Sequence, residues 1–128
     1  MIDRTPAIIA CMRDMVAERC DKATYNDDRE SLLVAEQALT LAIDHSLVFG
    51  LWPTKGDDEM YAAGLLKTID GQSQPPTCER DRAIAGAVAR RLSEVACALF
   101  VQGEDEQMAA WLYTAVGRLI GNRPEDER

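Results

Sequence analysis

The chain has 128 residues, and its 22 acidic against 14 basic side chains leave a net charge of −8. That length suits one domain, which hides roughly two thirds of its unfolded surface on folding and needs no metal or disulfide to hold it. The charge repels phosphate backbones and counts against nucleic acid as a partner. Residues 1–64 hold most of it, with 12 acids against 6 bases.

Apolar residues make up 47% of the chain and aromatics only 5%. Ala and Leu, the strongest helix formers, dominate the apolar set. No segment alternates with period two over a strand's length, and there are no internal repeats, so an all-α fold is expected. The apolar run from Ala7 to Met12 is too short for a secretory segment, and no stretch approaches the ~18 apolar residues of a membrane span. The expectation is a soluble, cytoplasmic protein with no membrane contact and no cofactor.

Thr5 followed by Pro6 reads as an N-cap with proline at the first helical position, opening a helix to about Cys20. Tyr25 to Asp28 break it, and Asp27 with Glu30 forms a capping-box pattern for a second helix that ends near Gly50. Residues 51–56 read as a loop because Trp52 precedes Pro53 and Gly56 closes a turn. A short third helix follows from about Asp58 to about Ile69. Gly71 to Pro76 is the clearest non-helical stretch.

Thr77 reads as the cap of a fourth helix to about Gln102, with Ile84, Val88, Leu92, Val95 and Leu99 as its apolar stripe. Ala83, Ala85, Gly86, Ala87 and Ala89 make its first half slim. After Gly103, Asp105 opens a fifth helix, whose stripe is Met108, Leu112, Ala115, Val116 and Leu119 before Gly121. The expected architecture is a helical bundle of four long helices and one short one over residues 1–122, with a charged tail at 123–128.

Of the four cysteines, Cys11 and Cys20 fall on one helix, facing opposite ways and roughly 13 Å apart along its axis, so they cannot bridge each other. No spacing matches a zinc pattern. Cys78 sits at the start of the fourth helix near Arg80 and Arg82, where helix dipole and cations favour a thiolate, and is the candidate reactive thiol. Cys97, between Ala96 and Ala98 near the stripe, is expected to react slowly.

Three acidic clusters stand out: Asp27, Asp28 and Glu30; Asp57 to Glu59; Glu104 to Glu106. Carboxylates can hold Mg²⁺ or act as acid and base, but all three fall in a helix's first turn, where capping and the dipole account for them. No metal site is therefore assigned. His45, the single histidine, falls among Val34, Ala38, Leu41 and Phe49 on the apolar arc of its helix, which favours a hydrogen-bonded core role over a general base. Arg80, Arg82, Arg90 and Arg91 form the one candidate anion site, against the plainer reading of a solvated face paired with Glu79, Asp81 and Glu94.

There is no phosphate loop, no nucleophile elbow and no metal-ligand spacing. The apolar run through Phe49, Leu51 and Trp52 passes into a loop and is the candidate interface. These features favour a non-catalytic protein–protein interaction module, an adaptor, inhibitor or regulatory subunit that binds a protein partner or forms a homodimer. The alternatives are a small enzyme using Arg and carboxylate side chains between helices, and an acidic DNA mimic.

Overall fold

The computed structural model describes residues 4–44, 56–103 and 105–121. Five helices form in chain order: α1 (Thr5–Lys22), α2 (Asn26–Asp44), α3 (Gly56–Ile69), α4 (Glu79–Gln102) and α5 (Glu106–Ile120). Among the described residues there is no strand, so the fold is all-α. At 14 and 15 residues, α3 and α5 differ by one, and no single helix stands apart as the short one.

α1 begins one residue earlier than its proline suggests. Thr5 is not an N-cap but a buried helical residue, and Arg4 takes the cap position without a side-chain capping bond, its carbonyl accepting from the Ile8 N–H at 3.0 Å. Ile8, Ile9, Met12 and Val16 then bury one face. A short turn returns the chain as α2, which contributes Ala35, Ala38, Leu39, Ala42 and Ile43. Brief connections of this kind make helices antiparallel neighbours, and α1 and α2 pack closely.

Gly56 is the first residue of α3 rather than the end of a turn. The helix buries Ala62, Leu65, Leu66 and Ile69, and packs against α1 and α5. It ends in a Schellman motif: the Gln72 N–H donates to the Lys67 carbonyl at 2.9 Å, and the Gly71 N–H to that of Thr68 at 3.1 Å. Gly71 takes φ +81°, which a side chain would strain. The Arg118 guanidinium, reaching over from α5, satisfies the Ile69 carbonyl.

α4 starts at Glu79, and the expected Thr77 cap is replaced by Cys78, which makes no side-chain capping bond. Its stripe is buried through Val88, Leu92, Val95 and Leu99, while Ile84 is half-buried against the core. Ala85 and Ala89 are buried too, so the slim first half is used for close approach. Gly103 ends the helix in left-handed backbone. Asp105 then caps α5 as its sequence promises, accepting from the Met108 N–H at 3.0 Å. α4 and α5 pair most extensively, and α2 lies against both. One apolar cluster draws on all five helices.

Candidate functional site

Among the described residues, those singled out from sequence are not brought together. Phe49, Leu51 and Trp52, with His45, lie outside the described residues. The four α4 arginines do not converge: Arg80 and Arg91 share a side but stand roughly 16 Å apart along the axis, and Arg82 points nearly opposite to Arg80. Arg80 lies over the Tyr61 ring, 5.6 Å from its centroid, and Arg91 pairs with Glu94 at 3.6 Å. Both contacts belong to a solvated helix face.

The acidic clusters separate into different roles. Asp105 caps α5. Asp58, by contrast, is not a solvent-facing dipole partner. Its side chain is only 5% exposed and is held by Arg4, whose Nε lies 3.5 Å from Oδ1 while Nη2 pairs with Oδ2. All three acids of the second cluster stand in the first turn of α3, but Asp58 does more than complement the helix dipole, since its carboxylate points inward and meets a guanidinium 54 residues away. No group of three metal-ligating side chains assembles among the described residues.

The thiols divide in two. Cys11 and Cys20 are buried, and Cys78 and Cys97 are exposed. The exposure of Cys97 corrects the expectation that it lies near the stripe. Nine residues beyond Val88, it sits about 180° round the helix from it. Burial, reinforced by Asp58, Glu59 and Asp14, pushes the Cys11 thiol up. Cys20 donates weakly to the Arg29 carbonyl at 3.7 Å.

What sequence reading missed lies at the far end of the same helix. Phe100 is 74% exposed and Val101 82%, and Tyr113 of α5 is 47% exposed. Partial burial raises the Tyr113 hydroxyl, and the adjacent Cys97 thiol, hydrogen-bonded to it, adds to the rise. A helical wheel anchored on Val88 would have found them, since Phe100 and Val101 fall about 120° and 220° away from it.

Phe100 and Tyr113 border a cleft of about 350 Å³ between α4 and α5, lined also by Leu99, Glu106 and Ala109. A second cleft of about 470 Å³ lies between α2 and α5, lined by Asp27, Glu30, Val34, Gln107 and Trp111. Ala110 lines both. The two clefts flank α5, with apolar side chains and the carboxylates of Asp27, Glu30 and Glu106 among their lining. Compared with protein-family models, curated proteins and solved structures, the chain matches none.

Proposed function

We propose that the chain is a non-catalytic protein–protein interaction module, working as an adaptor, inhibitor or regulatory subunit through the α4–α5 face. The observation that carries this reading is the exposure of Phe100 and Tyr113 around an open apolar cleft, with exposed Val101 next to Phe100 in the chain. Exposed large apolar groups that are clustered, rather than scattered singly, cost solubility and mark contact surfaces. Aromatic side chains in such a setting concentrate binding energy.

The test is recovery of the tagged protein from the cells that make it, in parallel with the double substitution Phe100→Ser and Val101→Ser. The wild type retains a stoichiometric protein partner, or a second copy of itself, and the variant loses it while its melting temperature stays within a few degrees. Equal recovery by both proteins would place the contact elsewhere. A wild type that retains nothing would remove the reading.

A further inference from the structure

From the two clefts flanking α5 we infer that the occupant is a basic amphipathic helix of a partner protein, lying over Ala110 with its apolar side chains lowered on either side. This deepens the interaction reading above and rests on it.

The geometry begins with α5. At 100° per residue, Ala110 falls between Tyr113 and Glu106 on one side and Gln107 and Trp111 on the other. Ala110 is exposed and small, so a second helix can approach the α5 backbone there. The clefts to left and right are the grooves that receive its side chains, as ridges enter grooves in ordinary helix packing. One is lined by Phe100 and Tyr113, the other by Val34 and Trp111. A helix seated in an apolar groove is a recurrent mode of peptide recognition.

Charge selects the occupant. Asp27 and Glu30 edge the α2 side and Glu106 edges the α4 side, while among the described residues no lysine or arginine lines either cleft. The chain's net charge of −8 adds attraction for cations at a distance. A second copy fits worse. Two-fold symmetry sets the same patch against itself, so these carboxylates would face their own copies.

The test uses calorimetry with two synthetic peptides, each about 18 residues long, enough to form a helix on a surface. One patterns leucine with lysine at helical spacing, and the other carries glutamate in place of lysine. The lysine peptide binds at least about tenfold more tightly than the glutamate peptide, and more weakly as salt rises. Ala110→Arg, which blocks both grooves from an exposed position, weakens it about tenfold or more. Ala83→Arg, the same charge change at an exposed α4 site, leaves it within about twofold.

Equal weakening by Ala83→Arg and Ala110→Arg would reduce the binding to the general field of an acidic protein and overturn the inference. Equal binding of the two peptides would overturn it as well. The two readings fail separately: if Phe100→Ser with Val101→Ser abolishes partner recovery while Ala110→Arg leaves the lysine peptide bound at wild-type strength, the interaction module stands and the basic helix falls.

Discussion

The guanidinium of Arg4 holds the buried carboxylate of Asp58, tying the start of α1 to the first turn of α3 across 54 residues. Arg4 retains a side-chain exposure of 25%, so water still reaches the cation, whereas Asp58 is nearly sealed. Removing the cation therefore costs more than the pair is worth, because it leaves a buried charge without its guanidinium. Arg4→Met is expected to lower the thermal midpoint, followed by circular dichroism, by several degrees. Asp58→Asn should lower it less, since the amide fills the same space without a charge to satisfy. An Arg4→Met protein that melts with the wild type would show that the pair is incidental.

The four thiols should label in two classes. Cys78 and Cys97 are exposed and should react within the first phase, while Cys11 and Cys20 wait for the protein to open. Cys11 should be the slowest of all, since burial and neighbouring carboxylates both disfavour its thiolate. Mass-spectrometric mapping of alkylated peptides against time decides the order. Rapid modification of Cys11 in the folded protein would contradict its place in the core.

Cys11 also sets a pH dependence. Its folded pKa is raised, so its contribution is fully present below the unfolded value and fades as pH rises through the folded one. The unfolded chain then releases a proton that the folded chain retains. Stability measured by urea unfolding should therefore fall as pH rises above about 8.5, the value of an unfolded thiol. Tyr113, raised by partial burial and by Cys97, acts in the same direction. Cys11→Ala should flatten part of that slope, even though the smaller side chain lowers stability throughout.

How much of this was legible follows from what is local. The stripe Val88, Leu92, Val95 and Leu99 and the Asp105 cap are encoded within a turn or two, and both stand in the structure. The Asp58 partnership is not local. In sequence, Asp58 looks the same as its neighbours Asp57 and Glu59, and only the packing of α3 on α1 turns it inward. Cys97 departs from its sequence expectation for a different reason: adjacency to Ala96 does not give it the same face, because successive residues diverge by 100°. The surface patch was legible in principle, because Phe100 and Val101 break the apolar pattern, but a pattern read for its core does not flag what lies outside it.

Helix ends give a graded pair of substitutions. Gly71 and Gly121 both hold positive φ, +81° and +70°, so alanine at either meets backbone strain of about 1 kcal/mol. Their surroundings differ. A Cβ at Gly71 would sit 3.7 Å from Arg118 Nη1, an ordinary contact with a flexible side chain. One at Gly121 would meet Pro75 Cγ at 3.2 Å, and a proline ring yields less readily. Gly121→Ala should therefore destabilise more than Gly71→Ala in urea unfolding, and the reverse order would mean that the loop carrying Pro75 moves away freely.

The sharpest test of the α4 face compares two neighbouring residues. Leu99 is 7% exposed and belongs to the apolar cluster, whereas Phe100 is 74% exposed. Truncating a buried leucine loses its transfer free energy and leaves a cavity, so Leu99→Ala should cost about 2–5 kcal/mol. Phe100→Ser removes a larger apolar side chain, yet one that still faces water in the folded state. Its cost to stability should stay within about 0.5 kcal/mol. Urea unfolding of the two variants settles the register, because a rotation of α4 by a single residue would exchange these outcomes. A large loss on Phe100→Ser would mean that the phenylalanine serves the fold, and the contact surface would lose its most exposed aromatic side chain. A negligible loss would leave a phenylalanine that burial does not explain, which is the condition the interaction reading requires.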